Sequence, residues 1–140
     1  MKSLVTTIKV FYIKYVVDSW AWIEYLIASP AGEKIKDIVE DSNNIIYINS
    51  IILAEVISKT VREKRNIKTA FDALTTLSVI ADINYPVFSR EVGALHAEIK
   101  NKIKDFGLAD AFVLVTAQKL GAKILTGDPH FRSFKEAVMI

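Results

Sequence analysis

Between Gly107 and Phe131 the chain has little freedom in what it can become. Ala111, Phe112, Leu114, Val115 and Ala117 are apolar around nearly the whole circumference of a helix, so that helix must be covered on more than one side. Gly121 stops it, and Lys123–Thr126 follows as a short apolar strand. A buried helix leading straight into a buried strand is a unit of layered α/β folds. Asp110 lies in the first turn of the helix, and Asp128 follows the strand. Ligands of open α/β sheets sit beyond the carboxyl ends of the strands. Charges held there by buried elements are costly unless something pairs with them. The stretch therefore points to a cation site.

The rest of the chain repeats the alternation. Tyr15-Val-Val is a short apolar run ending in Asp18. Ser19 is placed to cap a helix over Trp20–Ala28, with Trp22, Ile23, Leu26 and Ile27 at helical spacing. Ser29-Pro30-Ala-Gly32 breaks it, and Pro30 suits the first turn of a second helix with Ile35, Ile38 and Val39 on one face. Ile45–Ile48 reads as a strand. Asn49 and Ser50 cap a helix with Leu53, Val56 and Ile57 inward and Glu55 in its early part. Asn66 marks a turn, after which Ala70, Leu74 and Leu77 keep helical spacing. A third strand is expected over Ile80–Tyr85, ended by Pro86, then a long helix over Phe88–Lys104 and a last strand over Ala137–Ile140. Strands alternating with helices are the signature of a parallel sheet with covering helices and right-handed crossovers.

Composition narrows the class. At 140 residues with 51% apolar and 24% charged, the chain is long enough for a real core and is not disordered. A net charge of +2 neither demands nor forbids a nucleic-acid partner. The absence of cysteine excludes disulfides, a thiolate nucleophile and a cysteine zinc site, and is compatible with the cytoplasm. Lys9 and Lys14 interrupt the apolar start, so no signal peptide or membrane span is expected there. Residues 1–14 are expected to form an N-terminal extension, an added strand or a loose arm, ahead of a single domain over 15–140.

Four acids stand in comparable places: Asp18 ends the first strand, Glu55 rides the helix after the second, Asp110 opens the penultimate helix, and Asp128 follows the fourth strand. A parallel sheet would bring such positions to one edge. Two carboxylates about 5 Å apart at an effective dielectric of about 20 repel by roughly 3 kcal/mol. A cluster of them must take up protons or hold a cation. Oxygen ligands favour Mg²⁺ or Mn²⁺ over zinc. Such an ion polarises a phosphoryl oxygen and activates a water, so phosphodiester cleavage is the natural chemistry.

Val-Val-Asp18-Ser19, Ile-Leu-Ala-Glu55-Val-Ile, Leu-Ala-Asp110-Ala-Phe and Ile-Leu-Thr126-Gly-Asp128-Pro-His-Phe131, in this order and spacing, resemble the PIN-domain ribonucleases, and most closely the VapC-type toxins of VapBC toxin–antitoxin pairs. The resemblance runs from Tyr15 to the end. It implies a three-layer α/β/α sandwich around a parallel sheet of four to five strands, and metal-dependent endonucleolytic cleavage of single-stranded or loop RNA. It makes Asp18, Glu55, Asp110 and Asp128 the metal-binding acids, with Ser19 and Thr126 as hydroxyls that hold the carboxylates in place. It also implies a homodimer, and a small antitoxin whose tail enters the acidic groove with a basic side chain. Members often carry a further acid just before the final Phe, where this chain has His130.

Each residue also has a plainer reading. Asp18 or Ser19 can be only a helix cap, Glu55 a solvated glutamate, Asp110 a partner of its helix dipole, and Asp128-Pro an ordinary turn. Joint placement lifts all four above these readings. His130 reads as a loop residue rather than a ligand, and His96 as a surface or partly buried helix residue. The basic run Lys59–Lys68 reads first as a solvated face and second as a phosphate-contacting rim. Of Trp20 and Trp22, one is expected in the core. Ser19 has no histidine partner, which disfavours a serine hydrolase. Two alternatives stand beside the nuclease. One is a non-catalytic PIN-like module that binds RNA or protein. The other, a receiver or aspartyl phosphohydrolase, fits poorly because Trp20 occupies the place of a second acid.

Overall fold

The computed structural model describes residues 12–82 and 85–140. Five strands form one all-parallel sheet: β1 (Ile13–Val17), β2 (Asn44–Ile48), β3 (Val79–Ile80), β4 (Lys123–Thr126) and β5 (Ala137–Met139), in the spatial order β3-β2-β1-β4-β5. The helices among the described residues are α1 (Ser19–Leu26), α2 (Pro30–Val39), α3 (Ser50–Arg62), α4 (Ile67–Leu77), α5 (Tyr85–Lys100) and α6 (Leu108–Leu120). Together they make the three-layer α/β/α sandwich that the resemblance implies.

Strand β1 is central because its inner residues suit no other place. Val16 and Val17 are wholly buried, and β1 pairs with β2 on one side (Tyr15 beside Ile46) and β4 on the other (Val16 beside Ile124). Connections after β1 lead outward in both directions, so a crevice opens between the ends of β1 and β4, where such sheets bind ligands.

Helix α6 is buried along Ala111 and Val113–Ala117, as its all-round apolarity requires. Gly121, at φ +62°, closes it with a left-handed turn. Its one buried polar side chain in that run, Thr116, donates to the Phe112 carbonyl at 2.6 Å and accepts from Asn49 at 3.3 Å. Asn49 in turn caps α3, its Oδ1 accepting from the Ile52 N–H at 2.8 Å. This buried pair ties the start of α3 to α6, so the helices carrying Glu55 and Asp110 are fixed to each other. Phe106, Phe131 and Phe134 form a triangle with ring centres 5.5–6.5 Å apart, pinning the entry to α6 against the loop after β4.

Several local expectations shift. β1 starts at Ile13, two positions before the expected Tyr15. Asp18, not Ser19, caps α1. Ile52 joins Val56 on the fully buried side of α3, while Leu53 and Ile57 are only partly covered. The third strand is Val79–Ile80 rather than Ile80–Tyr85; residues 83–84 lie outside the described residues. Pro86 does not end a strand. It occupies the first turn of α5, where its missing N–H forfeits no helical bond, and α5 runs Tyr85–Lys100 instead of Phe88–Lys104. The expected strand or arm ahead of β1 falls on residues 1–11, also outside the described residues.

Candidate metal centre

Asp18 is the fixed point of the crevice. It follows β1 directly, is 4% exposed, and its N–H donates to the Leu125 carbonyl at 3.2 Å, so the ends of β1 and β4 are level. Its Oδ1 accepts from the Ala21 N–H at 2.9 Å, capping α1. Its Oδ2 accepts from the hydroxyl of fully buried Thr126. The same Thr126 oxygen accepts from the Asp128 N–H at 2.9 Å. One hydroxyl thus sets the positions of two acids. Burial nonetheless pushes the Asp18 carboxyl up to about 7, with the negative charges of Asp128 and Asp110 adding to the rise.

Asp110 enters from α6. Its Oδ2 accepts from the Gly107 N–H at 2.9 Å, closing the first turn of the helix. The helix N-terminus favours its charge. Burial wins all the same, and with Asp128 alongside it raises the Asp110 pKa above the ordinary value. Glu55, on the second turn of α3, is the exposed member. Its pKa is raised by desolvation and by the charge of Asp110, against the lowering effect of the Ser19 hydroxyl. Asp128 caps a single 3₁₀ turn, Pro129–Phe131, accepting from the His130 N–H at 2.9 Å.

The structure therefore places Asp18 and Asp110 within reach of the charge of Asp128, and Glu55 within reach of that of Asp110, with Thr126 against Asp18 and Ser19 near Glu55. It also adds a residue read there as an idle loop position. His130 turns its ring inward, with Nδ1 3.1 Å from Asp128 Oδ1 and 3.4 Å from Asp110 Oδ2. Donor atoms of Asp110, Asp128 and His130 lie within 4.8 Å of one another. His130 Nδ1 is itself buried. Among the described residues, no lysine or arginine forms an ion pair with any of the four acids. A set of clustered oxygen donors, raised carboxyl pKa values and a buried imidazole nitrogen turned toward them is what a divalent cation would complete.

A cavity of about 610 Å³ continues from Glu55 along α1 and α3, with Trp20 and Ile51 in its wall and Lys59 and Arg62 at its far end. Trp20 lies so close over Gly127 that a Cβ there would sit 2.3 Å from its ring. Trp22, by contrast, is wholly buried, so the core tryptophan is Trp22.

Solved structures share this architecture. The chain superposes with a TM-score of 0.70 on VapBC2 from Rickettsia felis bound to a promoter DNA fragment, at 19% identity over 91% of this chain and 98% of that one. DNA-bound VapBC from Salmonella typhimurium gives 0.67 at 16% identity, over 91% and 97%. VapBC-1 from nontypeable Haemophilus influenzae gives 0.61 at 19%, over 89% and 92%. No curated protein matches the chain significantly. The sequence itself matches the PIN domain across residues 15–137, the span that holds β2, β3 and β4, all six helices and all four acids. By that match and this fold, the chain belongs to the PIN-domain family.

Proposed function

We propose that this protein is a metal-dependent endoribonuclease and the toxin of a toxin–antitoxin pair. One observation carries the reading. Four carboxylates from chain-distant segments lie around the sheet's switch point, and among the described residues no lysine or arginine forms an ion pair with them. Asp18, Glu55, Asp110 and Asp128 would hold Mg²⁺ or Mn²⁺. When bound, such an ion supplies Lewis-acid polarisation of a phosphoryl oxygen and lowers the pKa of an attacking water.

The chain's own groups prepare the site. The Thr126 hydroxyl and the Ala21 N–H orient the two oxygens of Asp18, and the Gly107 N–H orients one oxygen of Asp110. Raised pKa values mean that Asp18, Glu55 and Asp110 hold protons more readily than ordinary acids, and a bound cation would favour their ionised forms. Lys59 and Arg62 sit one and two helical turns beyond Glu55, where they would meet the phosphates of an RNA strand leading into the crevice.

One similar structure is, by name, a toxin–antitoxin complex from Klebsiella pneumoniae, and the likeness supports an antitoxin for this chain; a basic side chain of its tail would suit the acidic crevice. A homodimer and a cytoplasmic setting complete the proposal. No helix among the described residues is long and apolar enough to cross a membrane.

The test is cleavage of bulk RNA by wild type and Asp110→Asn, with Mg²⁺ or Mn²⁺ and with chelator. Cutting that needs metal and vanishes in the variant is the expected result. Cutting that survives both changes would overturn it. RNA retained by both proteins without turnover would favour a PIN-like binding module.

A further inference from the structure

We infer that His130 is itself a metal ligand through Nδ1, and that it biases the centre toward first-row transition ions such as Mn²⁺ over Mg²⁺. The inference rests on the metal-dependent reading above and concerns which ion the site selects.

The ring is not free to wander. Pro129 fixes the backbone before it, and the His130 N–H is held by Asp128. The next residue, Phe131, is wholly buried against Phe106 and Phe134. Anchors on both sides leave the imidazole aimed at Asp110 and Asp128. Its Nδ1 faces two carboxylate oxygens at 3.1 and 3.4 Å and is shielded from solvent, so those two acids are its neighbours in the crevice. As the Nε2–H tautomer the ring turns its Nδ1 lone pair toward the same small space as the two carboxylates, an arrangement that a cation stabilises. The separations agree. Adjacent corners of an octahedron with bonds of about 2.1 Å lie about 3 Å apart.

Nitrogen in the donor set changes the preference. Mg²⁺ is a hard ion that prefers oxygen, whereas imidazole suits the transition ions, whose affinities for a mixed site rise from Mn²⁺ onward. A carboxylate in place of His130 would bring the donors back to oxygen alone. His130 is then a specificity-determining ligand rather than a spectator in a turn.

The experiment is Mn²⁺ and Mg²⁺ binding without RNA, by calorimetry, for wild type, His130→Asp and His130→Asn, together with pulsed electron paramagnetic resonance of the Mn²⁺ complexes. Wild type should show ¹⁴N modulation from a coordinated imidazole, and both variants should lose it. The ratio of Mn²⁺ to Mg²⁺ affinity should fall by roughly 10–100-fold in the variants, at least the effect of losing an outer partner of a ligand. Wild-type Mn²⁺ binding without nitrogen modulation, or with an affinity ratio that the variants share, would overturn the role of His130 and leave the nuclease reading standing. No Mn²⁺ or Mg²⁺ binding to wild type would overturn both. The resonance signature of wild type decides the question even if a variant fails to fold.

Discussion

Asp18→Asn should stabilise the metal-free protein at alkaline pH, although it removes the residue on which the site is centred. The folded carboxyl has its pKa raised from 3.8 to about 7 by burial first, then by its acidic neighbours. A folded state that holds its proton more tightly than the unfolded chain loses stability as pH rises through the window between those values, about 4 to 7. The full cost is about 4 kcal/mol, at about 1.36 kcal/mol for each tenfold change in acidity constant. About 2 kcal/mol of it is incurred by pH 5 and about as much again by pH 8. Asparagine does not titrate and keeps an oxygen for the Ala21 N–H, but the Thr126 hydroxyl loses its acceptor, a cost of about 1 kcal/mol. The variant in chelator should therefore be within about 1 kcal/mol of wild type at pH 5 and about 3 kcal/mol more stable at pH 8. In thermal unfolding the gap should widen by roughly 6 °C between the two pH values, at about 3 °C per kcal/mol for a chain of this size. Saturating Mn²⁺ should reverse the order at pH 8, since it stabilises only a folded state that binds it. A gap that stays constant from pH 5 to pH 8 in chelator, or that closes, would refute the reasoning.

Other perturbations test the supports of the site. Thr126→Val removes the donor to Asp18 and the acceptor for the Asp128 N–H, and should cost about 1–3 kcal/mol in urea unfolding and roughly 10–100-fold in Mn²⁺ affinity by calorimetry. Gly127→Ala drives a methyl into the Trp20 ring and should destabilise by about 1–3 kcal/mol, with the loss relieved in the double variant Gly127→Ala, Trp20→Ala. Asn49→Ala deletes the α3 cap and the bond to Thr116 together, and should cost about 1–2 kcal/mol in denaturant unfolding, while Ser50→Ala at the adjoining exposed position should cost less.

The order of strands and helices was legible because most elements here obey one period each. Helix α6 announces its burial by having no polar face, and Val16 and Val17 announce a central strand. The misread places are those where a local pattern had two meanings. Val79 and Ile80 are 57% and 52% exposed on an edge strand of two residues, too short for any alternation to show. Pro86 reads equally well as the end of a strand and as the first turn of a helix. Ser19 looks like the cap because it is the better-placed hydroxyl, but Asp18 takes the role with the same carboxylate that faces the crevice. The acids were visible from their positions at strand and helix ends. His130 was not, because Asp-Pro-His is an ordinary turn locally, and only the return of β4 beside β1 brings that turn against Asp110.

The central position of β1 has a consequence during synthesis. Its open edge is filled by β4, and the hydroxyl that holds Asp18 lies 108 positions further on. At roughly 5–20 residues per second, a ribosome needs on the order of 5–20 s to cover that distance. For that interval the nascent chain displays Tyr15–Val17 as an unpaired apolar edge, a natural object for chaperones. A chain released before Thr126 bears Asp18 and Glu55 without Asp128 or the strand that aligns them. Products terminated before Thr126 thus lack the assembled crevice, which forms only after the fourth strand has emerged.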